Sequence, residues 1–236
     1  MITLYDIPAS TTADGTFSPY VWRARYALHV KGLAYKVVWV EYADVASTMQ
    51  KIGAPPTGVR DGQDPLHLSD SLEIVQYLDT HYPATQQLLP PHSRALQLAL
   101  LDTFVATRVR LPTVYLVVLN MAKEQRPESE AFFRRTREEA SGKPWEEIAR
   151  GVEVRAGLVQ DLVDNMEVLG KWKGSDTFLG GSEVSFADVV VAAWLKCLMD
   201  LGKPGEGDTI FGAIKGKWGE FLAAFKKWDV ISAVTQ

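Results

Sequence analysis

Residues 18–32 read SPYVWRARYALHVKG, and this stretch decides the fold of the first part of the chain. Within it, apolar and aromatic side chains recur every four residues, which is the spacing of one helix face. The recurring residues are Trp22, Tyr26 and Val30. Ser18 is a typical helix N-cap, Pro19 suits the first helical position, and Gly32 suits the end. The stretch therefore predicts a helix that begins directly after Ser18.

The segments on either side of this helix have strand patterns. Ile2 and Leu4 alternate with other residues, and a loop rich in Pro, Ser, Thr, Asp and Gly follows over residues 8–17. Residues 35–42 are dense in Val and aromatic residues and carry apolar side chains on both faces. That pattern is typical of a strand buried on both sides in a parallel sheet. The three segments predict a β-α-β unit.

The pattern weakens over residues 43–66, where glycines and prolines interrupt the chain, so this region is predicted to be mostly loop. A short strand is expected over 66–68, and Asp70 begins the next helix with the spacing of a capping box. A polar stretch with prolines follows, after which the sequence has helical patterns throughout. We therefore expect two domains, over residues 1–89 and 90–236.

The second domain is predicted to contain only helices. Three are expected first: one over 93–123 with a kink at Leu111-Pro112, a charged one over 128–140, and one over 145–170. Ser185 and Asp188 have the spacing of a capping box, in which each side chain accepts the backbone amide of the other residue. The apolar helix that follows should lie at the centre of the domain.

Composition excludes several classes of protein. The chain has 236 residues, 47% of them hydrophobic and 23% charged, with a net charge of −4, as in ordinary folded proteins. Its 25 basic residues form no stripe for a phosphate backbone, so no nucleic-acid partner is expected. The single cysteine, Cys197, allows no internal disulfide and fits a reducing compartment, which predicts a cytoplasmic location.

The sequence also predicts no membrane segment. The N-terminus has no basic segment followed by a long apolar run, which a secretory signal would need. The most apolar helical stretch, over residues 111–121, is shorter than the ~20 residues that span a bilayer.

Two helix starts carry side chains that can bind a charged ligand. Ser18 places a hydroxyl where free backbone amides and the positive end of a helix dipole converge, which can stabilise an anion. Asp70 supplies a carboxylate for an ammonium group, and Ser71 adds a hydroxyl and amides for a carboxylate. The pair suits the end of an α-amino acid. Each feature alone is more often a plain structural cap.

Other nucleophile and metal patterns are weak. Cys197 lies in an apolar helix, which should hide its thiol and raise its pKa, so a structural role is predicted. The four histidines have no metal-ligand spacing, and no metal is expected.

Together these features resemble the glutathione transferase superfamily over essentially the whole chain. The residues from Ser18 to Arg23, with Asp70-Ser71 and the later Tyr77-Leu78-Asp79, look like bacterial β-aryl etherases and fungal etherase-like (FuA-type) glutathione transferases. The resemblance implies a fold class of α+β and all-α: a thioredoxin-like N-terminal domain that binds glutathione, followed by an all-helical C-terminal domain that completes an apolar pocket. A homodimer is expected.

The resemblance also implies roles for residues. Ser18 donates a hydrogen bond to the glutathione thiolate, and Asp70 and Ser71 hold the γ-glutamyl end. The family places a cis-proline and a hairpin before the acidic-Ser pair, but here the interval is short. Either Pro56 is that proline, beside a shrunken hairpin, or the segment that carries it is missing and Pro56 only breaks a loop.

The expected function is a Ser-type glutathione transferase whose co-substrate thiolate attacks hydrophobic aromatic compounds, lignin-related or phenolic. Leu111 and Tyr115, one helical turn apart beside Pro112, are the predicted contacts of the aromatic partner. Both side chains also suit packing against neighbouring helices. A non-catalytic ligandin that sequesters aromatic ligands is the alternative. A regulatory scaffold has no added interaction segment in its favour.

Overall fold

The computed structural model describes residues 1–10, 15–54, 66–148, 152–203 and 205–230. These ranges contain a small parallel sheet near the N-terminus and a large set of helices.

The predicted β-α-β unit is confirmed. Strand β1, Ile2–Asp6, pairs in parallel with strand β2, Tyr35–Trp39, with Leu4 opposite Val37. Helix α1, Pro19–Val30, connects them. Its buried residues face the helical domain and the sheet, which explains the apolar spacing seen in the sequence.

Strand β2 is shorter and more exposed than predicted. It ends at Trp39, whose side chain is 37% exposed, whereas Tyr35 at the other end is 3% exposed. The prediction of burial on both faces is wrong because, within the described ranges, β2 has only β1 beside it. Trp39 is therefore a partly exposed residue at the end of a strand that has one paired neighbour in the described ranges.

The region after β2 contains a helix that the sequence patterns missed. Helix α2, Val45–Lys51, has no buried residue and no side-chain N-cap, so it shows neither an apolar stripe nor a start signal. Leu68 forms an isolated bridge in place of the short strand expected over 66–68. Helix α3, Ser71–His81, begins after Asp70 as predicted. Pro56 lies outside the described residues.

The rest of the described chain is helical, as predicted. Its α-helices are α4 (Pro91–Leu100), α5 (Leu111–Lys123), α6 (Pro127–Ser141), α7 (Trp145–Ile148), α8 (Val152–Lys173), α9 (Phe186–Leu201) and α10 (Glu206–Phe225). The helix expected over 145–170 is helical in its described parts, α7 and α8, and residues 149–151 lie outside the described ranges. Residues 101–110, here called the π segment, join α4 to α5 with wider, π-helical turns.

The π segment ends directly before Leu111-Pro112, where the sequence predicts a kink. The bend at a proline comes from its missing amide, which in an α-helix would pair with the carbonyl four residues earlier. That carbonyl belongs to Arg108, and it accepts a bond from the side-chain amide of Asn165 on α8 at 3.1 Å. The freed carbonyl is therefore used in helix packing. Upstream, Thr103 and Thr107 donate to carbonyls four residues earlier, at 2.6 and 2.8 Å, and so add bonds to the wide turns.

The helical run from Pro91 to Lys123 has 33 residues, and an 18-residue window within it has a mean hydropathy of 1.2 and is 39% buried. By length and composition it could cross a membrane, so the sequence argument from a short apolar stretch is wrong. Within this run, Val105, Val109 and Leu116 belong to the main hydrophobic core. A core helix of a soluble protein passes the same test of length and hydropathy.

Helix α9 lies at the centre of the core, as predicted, and packs against α1, α5 and α10. Its start is a complete capping box: Ser185 Oγ accepts from the Asp188 amide at 3.3 Å, and Asp188 Oδ2 accepts from the Ser185 amide at 2.9 Å. Asp188 is fully buried and also accepts from the amides of Leu179 and Gly180. This carboxylate therefore fixes both the helix start and the preceding loop.

Several hydrogen bonds join the N-terminal part of the chain to the end of α5 and to α6. Ser10, in the loop before α1, donates from its amide to the Glu124 carbonyl at 2.5 Å and from its hydroxyl to the Lys123 carbonyl at 3.1 Å. Ser129 donates to Glu41 at 3.2 Å. The Arg137 guanidinium donates to the Tyr42 hydroxyl at 2.5 Å.

Candidate functional site

Ser18 lies at the start of α1, as the sequence predicts. Its backbone is extended (φ −70°, ψ 116°), and its hydroxyl oxygen accepts a long bond of 3.4 Å from the Val21 amide. Its carbonyl accepts the first helical bond, from Trp22, at 3.0 Å. Ser18 is 7% exposed, so its hydroxyl lies at a largely buried helix start.

The Ser18 hydroxyl hydrogen is uncommitted. Within the described part of the chain, the hydroxyl donates to no acceptor, and its one bond is the weak one that it accepts from Val21. The first turn of α1 contains no acidic residue. Free amides at a helix N-terminus carry a partial positive charge, so an anion placed here would meet attraction from the helix and a donor from Ser18. The arrangement suits a thiolate.

Asp70 and Ser71 form the second predicted helix start. Asp70 Oδ1 accepts from the amides of Leu72 at 2.7 Å and Glu73 at 3.4 Å. Asp70 is exposed, and its second oxygen has no hydrogen-bond donor within the described residues. Ser71 is half-buried. An exposed carboxylate oxygen beside a helix start can accept an ammonium group, and this role of Asp70 stays a prediction.

Arg23 connects these two helix starts. Its guanidinium carbon lies 4.7 Å from the centre of the Tyr20 ring and 5.6 Å from that of Trp194. Burial lowers the Arg23 pKa to about 10, while Tyr20 and Asp70 act to raise it and Arg110 adds to the lowering. Asp70 and Arg110 thus lie within electrostatic range of a residue on α1. Helices α1 and α3 also pack together, so the two predicted ligand-binding starts belong to one neighbourhood.

Leu111 and Tyr115 lie on α5, directly after Arg110. Leu111 is 44% exposed, and Tyr115 is half-buried. No hydrogen bond or ring contact in the described structure joins either side chain to Ser18 or Asp70. The Arg108 carbonyl, which Pro112 leaves without its α-helical partner, is bonded to the Asn165 side chain. Their role as contacts of an aromatic partner stays a prediction.

Cys197 is confirmed as a buried residue. It is fully enclosed in α9, and burial raises the pKa of its thiol, with Asp200 adding to the effect and Lys196 opposing it. Such a thiol stays protonated and has no access to a substrate. Within the described ranges, no three His, Cys, Asp or Glu side chains cluster as metal ligands.

A cavity of about 710 Å³ lies elsewhere, between the segment that precedes and begins α4 and the loop before α9. Gln97 and Ser185 line it, but both side chains are already hydrogen-bonded within the protein. None of the predicted site residues that the structure describes lines this cavity, so it is separate from the helix start at Ser18.

Two features of the site were missed from the sequence. Arg23 stands in the motif that suggested the family, but its neighbours Asp70 and Arg110 are far away along the chain, so no local pattern shows the grouping. The second is Asp6, which holds the loop before Ser18 by accepting a bond from Thr16 at 2.7 Å. An aspartate after a short strand has the pattern of a turn residue, which hides this role.

Comparison with known proteins gives the same answer for both halves of the chain. Residues 14–86 match the model of the glutathione S-transferase N-terminal domain, and residues 95–228 match that of the C-terminal domain. A curated relative, the glutathione S-transferase-like protein ustS of Aspergillus flavus, is 27% identical over 93% of this chain and 92% of its own.

Solved structures of fungal enzymes are similar over nearly the full length. A glutathione S-transferase of Ceriporiopsis subvermispora in complex with glutathione is 32% identical, with 98% of each chain covered and a TM-score of 0.86. The glutathione transferase GSTFuA3 of Phanerochaete chrysosporium is 30% identical, with 98% of each chain covered and a TM-score of 0.85. The expected resemblance to FuA-type enzymes and the expected fold class are confirmed. The chain belongs to the glutathione S-transferase family.

Proposed function

We propose that this glutathione transferase is of the Ser type, with Ser18 as the residue that activates the glutathione thiol. The observation that carries the proposal is the uncommitted hydroxyl of Ser18 at the start of α1. In the proposed complex this hydroxyl donates to the thiolate sulfur. The sulfur attacks an electrophilic carbon of the second substrate, and a carbon–sulfur bond forms as the leaving group on that carbon departs with the electron pair of the broken bond.

The energy required is within reach of this geometry. A free thiol titrates near ~8.5, so it is mostly protonated at neutral pH. Lowering that pKa by about two requires roughly 2.7 kcal/mol. A hydrogen bond to a charged group contributes about 1.5–3 kcal/mol, and the helix dipole about 0.3–1 kcal/mol. No separate base is needed for the thiolate to form.

Asp70 and Ser71 hold the γ-glutamyl end in this proposal. The free oxygen of Asp70 would accept the ammonium group, and the start of α3 would bind the carboxylate. We infer that residues 1–89 form the glutathione-binding domain and residues 90–236 the domain that completes the substrate site. Pro56, the candidate partner of the cysteinyl part, lies outside the described residues.

The second substrate is proposed to be a hydrophobic aromatic compound of the lignin-related or phenolic class. Leu111 supports this because it is a large apolar side chain exposed beside Arg110, which lies within electrostatic range of Arg23. Tyr115 would add a hydroxyl for a phenol or carbonyl oxygen. Tyr115→Ala should weaken binding of a phenolic ligand several-fold in calorimetry and leave glutathione affinity unchanged. Equal phenol affinity in both proteins would remove Tyr115 from the pocket.

The decisive experiment measures the pKa of the thiol of bound glutathione, from the ultraviolet absorbance of its thiolate. Ser18→Ala should raise that pKa toward the value of free glutathione. Ser185→Ala is the matched control because it removes another N-cap serine without touching the site. An unchanged thiol pKa in Ser18→Ala would overturn the Ser-type assignment.

A calorimetric titration with glutathione and an aromatic electrophile separates transferase from ligandin. Heat from turnover that requires both compounds supports the enzyme. Stoichiometric binding of the aromatic compound without turnover would support the ligandin.

We further propose a cytoplasmic homodimer. The single reduced cysteine supports the location, since a reducing compartment keeps such thiols free. Exposed large apolar side chains, Leu96 on α4 and Trp172 on α8, are surfaces that a second copy would cover. Sedimentation of the purified protein tests the dimer.

A further inference from the structure

A buried ion pair lies beneath the loop that carries Ser18. Asp6, at the end of β1, is 1% exposed, and Arg25, two turns into α1, is fully buried. Asp6 Oδ2 accepts from Arg25 Nε at 2.9 Å and from Nη2 at 2.6 Å. Because Nε and Nη2 of the guanidinium bind the same oxygen, the other carboxylate oxygen remains for different partners.

The second oxygen of Asp6 holds the loop. Oδ1 accepts from the Thr16 hydroxyl at 2.7 Å and from the Ile7 amide at 2.7 Å. Thr16 stands two residues before Ser18, and its carbonyl accepts from the Trp22 indole at 3.4 Å. Its backbone also bridges to Pro8 across the base of the loop.

Asp6 is thus attached to the chain on both sides of Ser18. Through Thr16 it fixes the loop that enters the N-cap, and through Arg25 it fixes the helix that leaves it. The Ser18 hydroxyl itself has only a long 3.4 Å bond within the protein, so its position depends on how the backbone around it is held. A donor to sulfur is effective only when its position is fixed before the ligand binds.

The pair is also locked from the far side. Arg25 Nη1 donates to the Tyr35 hydroxyl at 3.2 Å, and that hydroxyl lies 2.9 Å from His29 Nε2. Burial raises the pKa of Asp6, while Arg25 and Thr16 lower it. A buried carboxylate with these partners has little freedom to move, because each lost bond would leave a polar group without a partner.

We propose that Asp6 and Thr16 are positioning residues for Ser18, and that activation of the glutathione thiol depends on the Asp6–Thr16 bond. The inference rests on the proposed function, since it concerns the same thiol. It adds that the serine is not sufficient: a variant that keeps Ser18 but releases the loop loses part of the thiol activation.

A second ion pair, between buried Lys31 and partly buried Asp79, serves as the matched control. Asp79 on α3 accepts from Lys31, at the far end of α1, at 2.7 Å and from the amides of Leu88 and Leu89. This pair fixes the same helix but lies at the end away from Ser18. Loss of Asp79 should lower stability without moving the serine.

The test uses Thr16→Val, which removes one hydroxyl, keeps the side-chain shape and leaves the Asp6–Arg25 pair in place. We expect the pKa of the bound glutathione thiol to rise and kcat at neutral pH to fall several-fold, up to about tenfold. KM for glutathione should change little because Asp70 and Ser71 are untouched. Thr16→Ser, which restores the hydroxyl, should return the thiol pKa to that of the native protein.

Asp79→Asn should lower the denaturation midpoint and leave the thiol pKa unchanged. A thiol pKa that is unchanged in Thr16→Val, but raised in Ser18→Ala, would overturn the positioning role and leave the Ser-type mechanism intact. A thiol pKa that rises equally in Thr16→Val and Asp79→Asn would also overturn it, because general destabilisation would then explain the loss. No change in Ser18→Ala would overturn both proposals together.

Discussion

Ser18 and Ser185 are both helix N-caps with extended backbone, and each accepts a bond from the amide three residues later, at 3.4 and 3.3 Å. They differ in the residue that supplies that amide. At α9 it is Asp188, whose carboxylate accepts the Ser185 hydroxyl hydrogen at 2.6 Å. At α1 it is Val21, which offers no acceptor, and the Ser18 hydroxyl hydrogen is uncommitted within the described structure.

This difference separates a structural cap from a cap that can bind a ligand. The Ser185 hydroxyl makes its bonds within the protein, and the result is a fixed start for the central helix of the core. The Ser18 hydroxyl keeps its donor for a ligand, and the helix start is held instead by Asp6 and Thr16. The presence or absence of an acid three residues after the serine thus predicts which role each serine has.

The largest expected effect comes from breaking the Ser185–Asp188 capping box at the start of α9. Asp188→Ala leaves buried amides of three residues and the Ser185 hydroxyl without their acceptor, and each unsatisfied group costs about 1–3 kcal/mol. We therefore expect a loss of about 3 kcal/mol or more in the free energy of unfolding. Denaturant titration measures the loss, and glutathione affinity should be native in the molecules that remain folded. A loss below about 1 kcal/mol would show that water replaces the carboxylate.

The comparison predicts that a substitution at Val21 can give the Ser18 hydroxyl an acceptor within the protein. Val21→Asp would give the Ser18 hydroxyl an internal acceptor and place a negative charge beside the thiolate. We expect kcat/KM to fall about a hundredfold, since both the donor and part of the dipole stabilisation are lost. Val21→Asn adds an acceptor without charge. Its kcat/KM should lie between that of Val21→Asp and that of the native protein. Native turnover in Val21→Asp would contradict the role given to the free hydroxyl.

Removing the Ser18 hydroxyl should affect activity more than stability. Ser18→Ala should lower kcat/KM by about tenfold or more, which corresponds to roughly 1.5–3 kcal/mol for the lost bond to a charged group. Its free energy of unfolding should fall by less than about 1 kcal/mol, because the cap bond is long. Ser185→Ala should show the reverse, a stability loss of about 0.5–2 kcal/mol with native turnover per folded molecule. If substitution of Ser10 lowered turnover and substitution of Ser18 did not, the thiol-activating role would have to be assigned to Ser10.

The smallest effect concerns the far end of the helix that carries Ser18. Burial lowers the pKa of His29 below its ordinary value of 6.5, Arg25 adds to the lowering, and the bond to the Trp228 carbonyl opposes it. The unfolded chain therefore binds this proton more tightly than the folded protein. The contribution of His29 to the free energy of unfolding should therefore be fully present above pH 6.5. It should decrease as the pH falls below 6.5 toward the lowered pKa.

The slope from this single group is at most about 1.4 kcal/mol per pH step of one. His29→Gln should remove that part of the pH dependence, as seen in denaturation midpoints across the window. An identical slope in both proteins would assign the pH dependence to other groups.

The sequence predicted what depends on near neighbours in the chain. The Ser18 cap and the Ser185–Asp188 box each join residues three apart, and both are present as predicted. Helix α2 was missed because it buries no residue and therefore has no apolar periodicity. The π segment was missed because no local sequence signal distinguishes its wider turns from those of an α-helix.

The parts of the site that could not be predicted join distant residues. Asp6 binds Arg25, nineteen positions away, and Arg23 lies within electrostatic range of Asp70 and Arg110, which belong to other helices. Charged residues on a helix usually face solvent, so their sequence pattern indicates exposure. Only the packing of α1 against α3 and α9 shows that Arg23 comes within electrostatic range of Asp70 and Arg110.

The contacts between the loop before α1 and the end of α5 have a consequence for recombination between relatives. Ser10 binds the carbonyl of Glu124, and Tyr42 binds Arg137, so the N-terminal part of the chain is matched to one corner of the helical domain. A hybrid enzyme that exchanges residues 1–89 alone would pair a foreign loop with this corner and disturb the backbone that leads to the serine. Activity therefore depends on two segments that are separate in the sequence. A hybrid should keep native activity only when the N-terminal segment and the turn between α5 and α6 come from the same parent.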